Sequence, residues 1–205
     1  TPEVLTETVA DSAFCLLLAA ARRLVEADAY IRAGKWKTWA VLLLAGQDLF
    51  RATLGLVGLG RIGAAVARRA KGFEMRVIYY DPYRRPDLEQ QMGIEYRELN
   101  EVLKEADFIS VHVPLMESTR HLISREQFRL MKKTAVFVNT SRGPVVDQRA
   151  LTEALQARQI FAAGIDVFEK EPVPDDEPLL KLDNVVVVPH IASASVPTRI
   201  RMATL

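Results

Sequence analysis

Three side chains in the second half of the chain could together hold an anion and move a proton. They are Arg142 in Asn139-Thr140-Ser141-Arg142-Gly143, Glu171 in Phe168-Glu169-Lys170-Glu171-Pro172, and His190 in Val188-Pro189-His190. A carboxylate beside a histidine orients the imidazole and supports its charged form. An arginine can grip a carboxylate or polarise a carbonyl. All three follow β-rich runs, so they belong at the carboxyl ends of strands, where ligands bind in an open α/β sheet.

A second constellation lies upstream. Gly58-Leu59-Gly60-Arg61-Ile62-Gly63 closes one β-rich run and opens a helical one, the context in which a G-x-G-x-x-G becomes a specific signal for a dinucleotide. The first glycine permits the turn, the second lets backbone approach a pyrophosphate, and the third packs helix against strand. Asp81, 21 residues beyond Gly60, is placed to accept hydrogen bonds from the ribose hydroxyls of NAD and to repel a 2'-phosphate. Arg84 and Arg85 follow closely; they read either as a solvated turn or as partners for NADP, so NAD is favoured and NADP stays open. Hydride transfer with the Arg142, Glu171 and His190 set suits reduction of a 2-oxo acid.

These residues need a scaffold. In 205 residues with 49% hydrophobic content, 27 basic and 26 acidic side chains, there is enough chain for one sizeable core. A net charge of +1 gives no footprint for nucleic acid. Short runs rich in Val, Ile, Leu and Phe at 53–58, 77–80, 108–113, 135–138, 162–165 and 185–188 alternate with amphipathic stretches at 61–71, 100–105, 125–132, 148–158 and from 195 onward. The pattern predicts an α/β fold of Rossmann type, a doubly wound parallel sheet of about six strands with helices on both faces.

Residues 53–190 form the expected dinucleotide-binding domain and 191–205 the start of a C-terminal helix. Within 1–52, apolar spacing from Ala10 to Val25 predicts one helix, opened by a capping box at Thr8 and Asp11 and stopped by Gly34. Residues 35–52, with Trp36, Trp39 and Val41-Leu42-Leu43-Leu44, lose any period and read as an irregular apolar connection that packs on another domain or subunit. The longest apolar run, Ala13 to Ala21, has nine residues, too few to span a bilayer. With no secretory signal pattern either, a cytoplasmic location is expected. The single Cys15 falls in that run and is expected to be a buried small hydrophobe. No Cys/His/Asp cluster has metal-ligand spacing, so no metal is expected.

So many ordered motifs together resemble one family, the D-isomer-specific 2-hydroxyacid dehydrogenases, and among them the glyoxylate and hydroxypyruvate reductases. The likeness runs through Thr1-Pro2-Glu3-Val4-Leu5-Thr6-Glu7, Gly34-Lys35-Trp36, the glycine motif, Tyr80-Asp81-Pro82, Val111-His112-Val113-Pro114, Asn139 to Gly143, Asp166-Val167-Phe168, Glu171-Pro172 and Pro189-His190. The resemblance implies that Arg142 binds the oxo acid and activates its carbonyl, that His190 is the general acid or base, and that Glu171, rather than Glu169, supports it. It further implies cofactor contacts from Arg61 and Ile62 at the pyrophosphate, Val113 and Pro114 along the adenine and ribose path, Thr140 and Ser141, and Asp166 toward the nicotinamide amide. His112 is expected to be packed or cofactor-adjacent and His121 a surface or subunit contact.

Family members are commonly homodimers through the nucleotide domain, so the Trp36 to Leu44 segment is the expected dimer surface. Members are also about half as long again, and their substrate domain is built mainly from sequence preceding the point where this chain begins. The chain, opening at Thr1 without Met, is therefore expected to be a piece of a longer protein with most of that domain absent. Glu74 stands where the family usually has glycine, a place that would need a left-handed backbone. An alternative stands beside the enzyme: a non-catalytic NAD-binding module, either an isolated cofactor domain or a nucleotide-sensing regulator.

Overall fold

The computed structural model describes residues 4–204; Thr1, Pro2 and Glu3 of the opening motif lie outside the described residues. Seven parallel strands form one sheet: β1 (Thr53–Val57), β2 (Arg76–Tyr80), β3 (Glu95–Tyr96), β4 (Phe108–Val111), β5 (Val136–Asn139), β6 (Ala162–Ile165) and β7 (Val185–Val187). Their order is β3-β2-β1-β4-β5-β6-β7. The order reverses between β1 and β4, which opens a crevice at their carboxyl ends.

The helices are α1 (Thr6–Ala21), α2 (Leu24–Arg32), α3 (Arg61–Ala70), α4 (Pro86–Met92), α5 (Leu99–Glu105), α6 (Arg125–Leu130), α7 (Gln148–Gln156) and α8 (Val196–Ala203). Two cores result, one on each face. Val57, Ile109, Phe137 and Ile165 pack with Val102, Phe128 and Leu151 from α5, α6 and α7. Leu56, Phe108, Val136 and Val138 pack with Phe14, Leu17 and Val66 from α1 and α3. Neighbours such as Val136 and Phe137 thus serve opposite cores, as a period of two requires, and each such buried side chain contributes about 2 kcal/mol.

The sheet has seven strands where six were expected. The extra one, β3, is a two-residue edge strand registered Ile78 to Glu95 and Tyr79 to Tyr96, too short to carry a hydrophobic pattern. Helix α4 was also unforeseen, although Pro86 at its start and Gly93 at φ 65° just past its end are ordinary helix punctuation.

The expected single N-terminal helix is two. Arg23 breaks it in a left-handed conformation, φ 52°, and the guanidinium restarts the chain by donating to both Glu26 oxygens at 2.8 Å. No capping box forms: Leu5 is the N-cap without a side-chain bond. The Thr8 hydroxyl instead lies 2.6 Å from that of Thr198 on α8, and Asp11 pairs with Arg69. Cys15 is exposed rather than buried. It continues the solvent stripe of Glu7 and Asp11 at four-residue spacing, which outweighs the apolar character of its sequence neighbours.

Glu74 does adopt φ 52°, at a cost near 1 kcal/mol, and its carboxylate is held by Arg51 at 2.9 Å. Gly34 follows the end of α2 at φ 65°. Residues 35–52 are irregular as expected, with Trp39, Val41 and Leu42 at least 75% exposed. Among the described residues no helix is long and apolar enough to cross a membrane, and no group of three or more His, Cys, Asp or Glu could hold a metal ion.

Candidate active site

The glycine turn links β1 to α3. Gly58 has φ 101°, and a Cβ there would stand 2.9 Å from the backbone of His112 and Val113. At Gly63 a Cβ would meet the Gly58 carbonyl oxygen at 2.2 Å, so helix and turn touch through bare backbone. At Gly60 a Cβ would meet nothing within 4 Å. That position opens onto the crevice, where the amino-terminal end of the ten-residue α3, with its positive dipole, favours a diphosphate.

Asp81 closes β2. Its Oδ2 accepts from Leu59 N at 2.8 Å and its Oδ1 from Tyr83 N at 2.9 Å, so the half-buried carboxylate is fixed beside the glycine turn. Beyond β4, Val113 is buried and Pro114 exposed. Between strand and turn, His112 sets Nε2 2.9 Å from Ser110 Oγ, and burial pulls its imidazole down to about 4. It is a packed neutral residue on the crevice wall.

The β5 loop is organised by Asn139, buried to 1% exposure. Its Oδ1 accepts from Ser141 N at 3.0 Å and Ser141 Oγ at 2.8 Å, while its Nδ2 donates to Arg142 O at 3.0 Å. The sequence reading gave Asn139 no role, because only the folded loop shows that one amide satisfies three partners. Thr140 beside it is buried with its hydroxyl unpartnered. Arg142 is exposed and its Nη1 donates to Ser141 O at 2.6 Å.

His190 follows β7 with φ 53°, a strained backbone for a non-glycine residue. Asp166, fully buried, holds that turn. Its backbone oxygen accepts from His190 N at 2.9 Å, and its carboxylate accepts from Ile191 N at 2.6 Å and Ala192 N at 3.1 Å. Burial pushes the Asp166 carboxyl up while those amides oppose the shift. Glu171 reaches His190 Nδ1 at 2.7 Å through Oε2 and accepts from Phe168 N at 3.0 Å through Oε1. Burial alone would raise Glu171, but the imidazole and the Phe168 N–H hold it below the usual carboxylate range. Glu169 is engaged elsewhere, by His121 Nε2 at 2.9 Å and Gln148 N at 3.1 Å.

Gly60, Arg61, Ile62, Val113, Pro114, Thr140, Ser141, Arg142, Asp166 and His190 line one crevice of about 970 Å³. Gly58, Gly63, Asp81 and Glu171 do not line it; Asp81 connects to its glycine turn through Leu59 N and Glu171 to its wall through His190. Leu5, the residue just before α1, and Arg199 of α8 join the wall without having been foreseen. The residues present fit a dinucleotide on two structural grounds: an orphaned buried Thr140 hydroxyl in the crevice wall, and open space at Gly60 that a side chain would fill.

The model of the family described as D-isomer specific 2-hydroxyacid dehydrogenase, NAD binding domain, matches residues 14–192. A glyoxylate reductase from Korarchaeum cryptofilum is 62% identical over 206 residues, which take in 100% of this chain and 62% of that protein. A structure of an NADPH-dependent glyoxylate/hydroxypyruvate reductase from Sinorhizobium meliloti, in complex with NADP and malonate, superposes with TM-score 0.90 at 40% identity, covering 100% of this chain and 63% of the other. A D-lactate dehydrogenase from Aquifex aeolicus, complexed with NAD and lactic acid, gives TM-score 0.88 at 36% identity and the same full coverage of this chain, 66% of the other. This chain therefore spans about 62% of the length of the curated relative, and it belongs to the D-isomer specific 2-hydroxyacid dehydrogenase family, of which it carries the NAD-binding part.

Proposed function

We propose that the chain is the cofactor-binding and acid–base half of an NAD-dependent reductase of small 2-oxo acids such as glyoxylate or hydroxypyruvate. The observation that carries this reading is the 2.7 Å contact between His190 Nδ1 and Glu171 Oε2, in the same crevice as Arg142 and the glycine turn. When bound, NADH supplies the hydride that goes to the 2-carbon of the oxo acid. Arg142 grips the substrate and polarises its carbonyl. His190, with Nδ1 committed to Glu171, delivers the proton on Nε2 to the developing alkoxide, and Glu171 steadies the charge on the ring. Asp166 acts through the turn, fixing where the imidazole points. Asp81 favours NAD over NADP through its charge at the ribose.

The assay is consumption of NADH at 340 nm by a protein carrying this chain. Steady oxidation with glyoxylate or hydroxypyruvate is the expected result, and none with either would sink the reading.

The exposed Trp36, Trp39, Val41, Leu42 and Phe50 support a further assignment, contact with a second copy of the chain. Light scattering at tens of micromolar is expected to return twice the chain mass of 23.0 kDa; a monomer mass would contradict it. A chain whose one cysteine is exposed and has no disulfide partner suits a reducing compartment such as the cytoplasm.

A further inference from the structure

The turn between β2 and α4 carries two cations, Arg84 and Arg85, next to the carboxylate of Asp81. A guanidinium in this place could grip the dianionic 2'-phosphate that distinguishes NADP from NAD. Both are engaged elsewhere. Arg84 donates from Nε and Nη2 to the two oxygens of Glu89, each at 2.8 Å, and its guanidinium lies 5.7 Å over the Tyr96 ring. Arg85 donates to both oxygens of Asp87, at 3.0 and 2.7 Å.

The two pairs differ in how firmly they are held. Asp87 is 61% exposed and its pair is open to water, whereas Glu89 is only 16% exposed. A third donor fixes Glu89 from behind: Tyr79, rooted in the sheet, donates its hydroxyl to Oε1 at 2.8 Å and accepts from Arg85 N at 2.8 Å. Arg84 first, then the Tyr79 hydroxyl, holds the Glu89 carboxyl down to about 2, with desolvation opposing. Burial foremost pushes the Tyr79 hydroxyl up to about 12. At neutral pH the carboxylate is therefore charged and the tyrosine remains a donor.

We propose that Glu89 is a specificity-determining residue of the cofactor site, withholding Arg84 from a 2'-phosphate so that the crevice favours NADH over NADPH. The proposal rests on the reading of the crevice as an NAD site. It adds a second layer to the discrimination by Asp81: one carboxylate repels the phosphate, and another occupies the cation that would have attracted it. Glu89 acts through Arg84 and touches no cofactor atom.

The test is calorimetric titration of the chain with NADH and with NADPH, for the parent, Glu89→Gln, Arg84→Ala and the double variant. Glutamine keeps an acceptor for Tyr79 but lacks the charge and second oxygen that bind the guanidinium. Glu89→Gln is expected to shift the NADPH-to-NADH affinity ratio toward NADPH by roughly tenfold, and adding Arg84→Ala is expected to cancel that shift. Arg84→Ala alone, on an exposed turn, is expected to leave the ratio within about twofold, because a sequestered cation contributes nothing.

An unmoved ratio in Glu89→Gln, or a shift that survives removal of Arg84, overturns the proposal. So does a loss of NADPH affinity in Arg84→Ala alone, a result that stays readable if the Gln variant fails to fold. Failure of the parent chain to bind NADH overturns the crevice reading and this inference together. NADH binding with an unmoved ratio overturns the inference alone.

Discussion

The two ends of the crevice are built differently. At the nucleotide end, local backbone satisfies the polar groups: Asp81 holds Leu59 N and Tyr83 N, and Gly58 N donates to Tyr80 O at 2.8 Å. At the chemical end the groups are fixed from behind and open in front. Asp166 and Glu171 set the turn and ring of His190, yet its side chain is 49% exposed, the exposed Arg142 donates to the carbonyl beside it, and the Thr140 hydroxyl has no partner among the described residues. On the proposed reading, the difference teaches that cofactor affinity belongs to this sheet and its first turn. The same reading makes turnover depend on what covers the outer face of His190, since positioning and exclusion of water are worth several powers of ten in rate.

The largest expected effect lies at the chemical end. In a protein that turns over, His190→Gln is expected to lower kcat by roughly 10²- to 10⁴-fold, with NADH affinity held within a few-fold. A comparable loss in NADH affinity would erase the distinction between the two ends.

The next effect attacks the nucleotide end. Gly63→Ala places a Cβ 2.2 Å from the Gly58 carbonyl oxygen, where backbone on both sides must yield. A stability loss of about 2 kcal/mol and NADH affinity weakened by about tenfold are expected, read by thermal melting and calorimetry. Unchanged NADH affinity would mean that the turn does not shape the site.

A smaller effect sharpens the boundary at His112, between the two ends. Its imidazole titrates near 6.5 in the unfolded chain and about 4 when buried, so between these values the unfolded chain binds a proton that the folded chain does not. The stability that burial of the neutral ring allows is present above pH 6.5 and is lost as pH falls toward 4, by about 2 kcal/mol. Urea unfolding at pH 7 and pH 4.5 is expected to show a weaker pH dependence in His112→Asn than in the parent. Equal slopes would place His112 outside the buried wall.

The glycine turn was legible in the sequence because its signal is local: three glycines, a strand before, a helix after and an acid just past the next strand. The sheet was legible for a similar reason, since strands buried on both faces read as continuous apolar runs. What escaped depends on contacts distant in sequence. A two-residue strand such as β3 has no pattern of its own and exists because β2 offers an edge. The break at Arg23 carries neither glycine nor proline, and the ion pair with Glu26 that accompanies it appears only in the folded chain. Cys15 was misplaced because composition outweighed helical phase. Asn139 is placed by a folded loop and Glu89 is held by the hydroxyl of Tyr79, and spacing reveals neither contact.

The central claim is that the chain carries a complete cofactor site beside a half-covered chemical one. NADH titration of the 205-residue chain, followed in the same sample by absorbance at 340 nm after addition of glyoxylate or hydroxypyruvate, tests it most directly. Saturable binding with little or no oxidation is the predicted result. Oxidation at an enzymatic rate by this chain alone, or no binding of NADH at all, would contradict it.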